Sequence, residues 1–391
     1  MRKVFENSID KENLLLIFFF MIVIGDALTK IFFSVDGWNA SKYIKAFLLL
    51  PLIILSYKNQ KKLFVYLSIS FLLFYAGTLS VSADRFIKNI PQFFEYYFFV
   101  LFFTAFLNIK YKGLGPALEV VFLLHALFII LASLFEYKFL KTYTYSKRLG
   151  YISFFNSQNE FSYVIMAGIA FFAAKMKHLN FIGIIKVLFM LAAGFLVGTK
   201  AIVIFAFTFG GYFLLFKTKP KVFIPILVTL SSLILIFRDQ LTFFFKTNYE
   251  TLYTVYETQG FLSFLSSKRT VLVWDRLKNN SENIDVINYL FGGYDLQNLF
   301  EMSFLDILFF FGFIGTLLYG FILYRFVLKK ITLDVLLKVY LSLIVAISMV
   351  SGYFFENASA QIYTLLVVMF LSGCKGESAT DFERKKEKIN A

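Results

Sequence analysis

Two carboxylates, Glu301 and Asp306, stand five residues apart at the threshold of a long apolar run, within "LFGGYDLQNLFEMSFLDILFFFGFIGTLL" (290–318). A charge deep in a membrane helix costs roughly 2.5–3.5 kcal/mol on insertion scales, and less near the interface. Two readings stand side by side. The acids can mark a helix start, where the macrodipole favours negative charge. That reading fits Asp306, inside the run, better than Glu301, which precedes it. Alternatively, a carboxylate beside an apolar wall has a raised pKa and can serve as a general base. Upstream, "SSKRTVLVWDRLKNN" (266–280) reads as an amphipathic helix with Ser266 or Ser267 as N-cap. Arg269 and Arg276 are seven apart, hence on one face, with Val273 between them. Two planar guanidiniums on one face suit a diphosphate. They equally suit an interfacial helix whose arginines meet lipid headgroups. Tyr249, Tyr253 and Tyr256 fall at i, i+4, i+7, either to stack on sugar rings or to form an interfacial belt. "FGGY" (291–294) predicts a turn through Gly292 and Gly293.

The elements that must position these groups are membrane helices. The chain has 391 residues, 59% of them hydrophobic and 20% aromatic, with 55 Phe, more apolar surface than a soluble domain can hide. Twelve spans are expected, at about 13–33, 43–57, 63–82, 92–108, 114–135, 160–174, 181–198, 201–216, 222–237, 304–328, 335–355 and 361–373. The first run is followed by "GDALTKIFFSVDGW", without a small-residue cleavage site, so no cleavable signal peptide is expected. The net charge of +14 reads as topology rather than as a nucleic-acid surface, because the basic residues sit in short loops. "KNQKK" (58–62), "KYK" (110–112), "KMKH" (175–178), "KTKPK" (217–221) and "KK" (329–330) share one side by alternation and together hold twelve Lys and no acid. That side is expected to be cytoplasmic, with both termini and the basic tail 374–391. The other side carries a 66-residue segment, 238–303, with six basic and eight acidic residues, and a second segment at about 136–159. Loops of this length are uncommon unless functional, which puts the working face there. The expected organisation is therefore helices 1–9 over 1–237, a large loop with amphipathic helices over 238–303, helices 10–12 over 304–373, and the tail.

Further polar groups gather at that face. "SKRLGYISFFNSQN" supplies Lys147, Arg148, Asn156 and Asn159 ahead of the sixth span, and "GTK" puts Lys200 at a tight turn between spans seven and eight. Arg85, Lys88 and Glu95 fall between spans three and four. Asp26 and Lys30, at i and i+4 in the first span, are expected to neutralise one another. His125 reads as a packed core residue and His178 as part of a cytoplasmic loop. The single cysteine, Cys374, excludes an internal disulfide. No metal-ligand cluster, Walker loop or Ser/His/Asp set is legible. The triplets at Asn39, Asn279 and Asn357 match a glycosylation sequon, to which no function is attached.

Together these pieces resemble one family, the O-antigen polymerase and O-antigen ligase superfamily of bacterial surface-polysaccharide assembly. "KRLGYISFFNSQNEFSY" resembles its run of arginine, glycine and asparagine ahead of a span, here Arg148, Gly150, Asn156 and Asn159. "GTKAIVIF" is similar to its short external turn, here Lys200 and Ala201. "SSKRTVLVWDRLKNN…YLFGGY" resembles its loop arginine, tryptophan-bearing helix and glycine end, here Arg269, Trp274 and Gly293. "EMSFLDILFFFGFIG" resembles its carboxyl-terminal motif, with Glu301 at the polar position and Gly312 and Gly315 as the GxxG pair. The resemblance covers 140–325 in detail and the rest in topology. It departs at Glu301, where ligases joining O-antigen to lipid A core typically carry His, and at Lys200, where Arg is common. It implies a GT-C-like, all-α fold in the bacterial inner membrane, with one large periplasmic loop. It implies metal- and cofactor-independent glycosyl transfer from undecaprenyl diphosphate to another carrier-linked repeat unit. Membrane lipids and a chain-length regulator are the other partners, with no nucleic acid. Glu301 would be the base and Asp306 the fallback. Arg269 would meet the diphosphate, supported by Arg148, Lys200 and Arg276, with Asn156, Asn159 and Tyr253 toward substrate. A ligase would keep this chemistry and change the acceptor. A flippase for lipid-linked oligosaccharides would instead need charges along a central path, whereas the ionisable groups here crowd one face.

Overall fold

A backbone N–H or C=O inside lipid must find its partner within its own segment, so runs of span length should close into helices. In the computed structural model they do. The structure describes residues 8–36, 39–107, 109, 111–142, 150–155, 157–176, 181–217, 269–280, 286–293 and 300–372, with isolated helical positions between 232 and 260. The first eight helices are α1 (Ser8–Asp36), α2 (Ala40–Asn59), α3 (Lys61–Leu79), α4 (Ala83–Ala105), α5 (Leu114–Leu134), α6 (Gln158–Lys175), α7 (Phe181–Val197) and α8 (Lys200–Lys217). They are followed by α9 (Arg269–Asn280), α10 (Val286–Phe291), α11 (Ser303–Phe326) and α12 (Val335–Ser351), and by α13 (Ala358–Ser372). Among the described residues there is no strand, only a bridge between Lys141 and Tyr151. Every expected span lies on one of these helices except the ninth, 222–237, which apart from two positions lies outside the described residues. Segments of five helices, Lys11–Phe32, Ala40–Asn59, Lys61–Leu79, Leu114–Leu134 and Ser303–Lys330, are long and apolar enough to cross a membrane; four shorter helices are also apolar. The chain is thus an all-α, multi-pass membrane protein.

Packing sorts the helices by depth. Nearly every residue of α6 and α13 is buried. Small residues permit this in α6, where a side chain at Gly168 would run into Met190 and Phe122. The outer helices bury one side and turn large apolar side chains outward, among them Phe47, Leu50, Val65 and Leu72. In water such a surface would be a liability; against lipid tails it is at home.

One boundary differs from expectation. α4 begins at Ala83 rather than near 92, because Ser82 caps it, accepting the Arg85 N–H at 3.2 Å, and Asp84 suits the first turn. The charges of that stretch read as a loop but form two further helical turns. A pairing also differs. Asp26 does not pair with Lys30; its Oδ1 accepts from the hydroxyls of Ser41 (2.6 Å) and Ser359 (3.1 Å), while Lys30 lies over the Phe139 ring. Hydroxyls from two other segments reach the carboxylate, so it needs no partner on its own helix.

Candidate functional site

At one end of the bundle the turns converge. Asn39 accepts from the Lys42 N–H and Asn357 from the Ala360 N–H, each capping the helix that follows it. Tyr163 of α6 donates to the Gly352 carbonyl at 2.8 Å, and the Thr199 and Ser162 hydroxyls meet at 2.8 Å. Gly352, at φ +64, lies so close to the Glu301 backbone that a Cβ would come 2.5 Å from its carbonyl oxygen. The expected turn at Gly292 and Gly293 forms, with φ +83 and +100. It lies against the carbonyl end of α3 at Gly77 and against Gly312, whose φ of +67 kinks α11. Three backbones meet there at a distance only glycine allows. These contacts fix both ends of the 293–303 segment, and hence Glu301.

The candidate site lies beside that junction. Arg269, buried at the start of α9, donates from Nε to Glu301 Oε2 at 3.2 Å and from Nη1 to the Val350 carbonyl at 3.1 Å. Glu301 itself is held at φ +57, a left-handed conformation costing about 1–2 kcal/mol for a residue with a Cβ. Such strain collects at functional sites. Its side chain is 38% exposed, and Oε1 has no hydrogen-bond partner among the described residues. Asp306 is buried in the first turn of α11; Oδ1 accepts the Phe300 N–H at 2.6 Å and Oδ2 the Met302 N–H at 3.0 Å. It ties down the turn that carries Glu301. Arg276, a helical repeat beyond Arg269, lies within electrostatic reach of Asp306. Two arginines of α9 thus lie within reach of the carboxylates at the entrance of α11, and the two expected roles, phosphate clamp and base, meet in one ion pair.

A third carboxylate, not singled out in the sequence, completes the group. Glu356 sits buried in the turn between α12 and α13, its Oε2 accepting from the Ser303 hydroxyl at 2.9 Å. Burial, with the Asp306 charge adding to it, pushes its pKa up to about 8, against the pull of Ser303 and backbone N–H groups. Near neutral pH it is largely protonated. Tyr353 lies within electrostatic reach of Glu301, Arg269 and Asp306. The signal for Glu356 was an acid alone in an apolar turn, "SGYFFENAS", on the same face as Glu301.

The remaining candidates are spread out. Lys200 opens α8 at the α7–α8 turn, half-buried, and Asn159 lies half-buried in the first turn of α6. Tyr253 is helical; its hydroxyl bonds to Glu257, and Lys246 lies over its ring at 5.5 Å, both from its own segment. Trp274 is 73% exposed on α9, as a side chain at a membrane surface would be. Arg148, Asn156, Tyr249, the caps Ser266 and Ser267, and His178 lie outside the described residues. His125 is a satisfied core residue, bonded to Ser153 Oγ at 2.9 Å and to the Tyr363 hydroxyl at 3.0 Å. Among the described residues no group of three His, Cys, Asp or Glu is spaced to hold a metal ion. Set against protein-family models, curated proteins and solved structures, the chain matches none.

Proposed function

We propose that this protein is a repeat-unit polymerase, transferring a growing glycan from undecaprenyl diphosphate to another lipid-linked repeat unit at the periplasmic face of a bacterial inner membrane. The observation that carries the reading is the Arg269–Glu301 pair at the entrance of an apolar helix. There a membrane-borne diphosphate and a sugar hydroxyl would meet at one depth. In the transfer, the bond from the donor sugar's anomeric carbon to the diphosphate breaks and a bond to the acceptor oxygen forms. The acceptor proton passes to Glu301 Oε1, and the diphosphate departs with the bonding electrons. Its charge is met by Arg269, with Lys200 and Arg148 in support. Asp306 holds the Glu301 turn, which leaves Glu301 as the base. The activated leaving group spares the reaction a metal.

With this reading go twelve spans, a GT-C-like arrangement and both termini in the cytoplasm, as the lysine-rich loops suggest. Glu301 stands where ligases of the resembled superfamily typically carry His, which favours polymerisation over transfer to lipid A core. Deleting the gene and separating the surface glycans on a gel tests it. The expected result is collapse of the long ladder to a single repeat unit on its usual anchor. Persistent long chains would withdraw the assignment.

A further inference from the structure

α2 and α4 run side by side, and a cavity of about 550 Å³ opens between Lys42–Leu49 of the one and Lys88–Phe98 of the other. That is an ordinary size for a small-molecule pocket. Its charged lining is Lys42 and Lys45 from α2 with Lys88 and Glu95 from α4, joined by the α4 amides Asn89 and Gln92; Leu49 and Phe98 are part of its apolar wall. The charged residues of each helix lie on one helical face, at i, i+3 and i, i+7. The inner pair is self-satisfied, Lys45 Nζ standing 3.4 Å from Glu95 and largely buried with it. The outer pair is not. Lys42 and Lys88 are exposed, and neither forms an ion pair with a described carboxylate, not even Lys88 with Asp84 one turn before it. The cavity thus offers two uncommitted ammonium groups beside an apolar wall, on helices whose outer faces read as lipid-facing.

That combination selects a ligand with a phosphate head and a hydrocarbon tail. Lysines serve phosphate as mobile point charges. The cavity also adjoins the candidate site. Gln92, in its wall, donates to the Glu356 carbonyl at 3.1 Å. Lys45 lies within electrostatic reach of Glu160, which bonds to Asn357.

We propose that the α2–α4 cavity seats the phosphate head of a single-chain lipid, the acceptor's carrier, so that donor and acceptor diphosphates occupy different positions. The identity of that lipid as acceptor rests on the polymerase reading; the binding site does not. The test is equilibrium binding of radiolabelled geranylgeranyl diphosphate to the full-length protein in phosphatidylcholine nanodiscs. An Arg269→Ala background removes the proposed donor contact. Binding should survive Arg269→Ala. The added pair Lys42→Gln and Lys88→Gln should weaken it at least tenfold, and Lys42→Arg with Lys88→Arg should restore most of it. Geranylgeraniol, which lacks the phosphate, should compete at least tenfold less well, as should inorganic diphosphate and phosphatidylglycerol. Unchanged affinity in the glutamine pair overturns the proposal. Displacement by phosphatidylglycerol at equal concentration would make the cavity a bulk-lipid site, and displacement by inorganic diphosphate alone a free-anion site; either overturns it too. Both lysines are exposed, so equal melting temperatures of the variants separate lost binding from lost fold. If glycan ladders persist after gene deletion while this binding holds, the polymerase reading fails and the lipid-phosphate site stands.

Discussion

Glu301 combines an unfavourable backbone with a useful side chain, and substitution can separate the two. Glu301→Ala and Glu301→Gly both remove the contact with Arg269, but only glycine relieves the left-handed φ of +57. The glycine variant should be the more stable by about 1 kcal/mol in denaturant or thermal unfolding, with both inactive. An alanine variant of equal or greater stability would show that the conformation costs nothing. Glu356 gives a second residue-scale prediction. Its pKa rises from 4.5 to about 8 on folding, so the folded chain holds the proton more tightly than the unfolded one. Its contribution is therefore full below about pH 4.5 and is lost as pH rises through about 8. The unfolding free energy should fall across that window by about 1 kcal/mol per pH unit, and the melting temperature with it. Glu356→Gln should flatten the slope, and a slope unchanged in that variant would remove the assignment. Arg269, Glu301 and Asp306 were legible in the sequence as candidates; Glu356 and the pairings were not. Arg269 and Glu301 are separated by 32 positions, and Ser303 and Glu356 by 53, so only the fold brings them together. Asp26 shows the converse. A neighbour four residues away suggested a partner, and two hydroxyls distant in sequence took its place.

At the scale of elements, apolar runs and flanking lysines disclosed the helices well, because length and hydrophobicity decide a span almost unaided. Where polar residues form helix, as in the first turns of α4, that signal fails and the cap at Ser82 decides instead. The glycine junction was half visible: "FGGY" announced a turn, but its backbone partners at Gly77 and Gly312 were not legible. Gly293 has φ +100, and a Cβ there would meet the backbone of Gly77 and Thr78. Gly293→Ala should therefore cost more than about 1 kcal/mol and lower activity by loosening the segment that carries Glu301. Thermal unfolding beside an activity assay would check it. A variant as stable and active as the parent would show that the junction does not position the site.

The whole molecule is a bundle with lipid-facing outer helices and a cluster of carboxylates and arginines at one end. The opposite end carries its own ties. Glu119 of α5 takes Lys175 and Lys186, and Arg325 of α11 donates to the Tyr66 hydroxyl. These clamp neighbouring helices. The proposed activity is the joining of lipid-linked glycans at the Arg269–Glu301 end. Its most direct test is to reconstitute the purified protein in liposomes with a lipid-linked repeat unit as sole substrate and to resolve the products by size. The expected result is a ladder from the wild type, and from Arg269→Ala and Glu301→Gln a rate lower by about a hundredfold or more. A wild type that leaves single units unjoined, or an Arg269→Ala protein that builds full-length polymer, would contradict it.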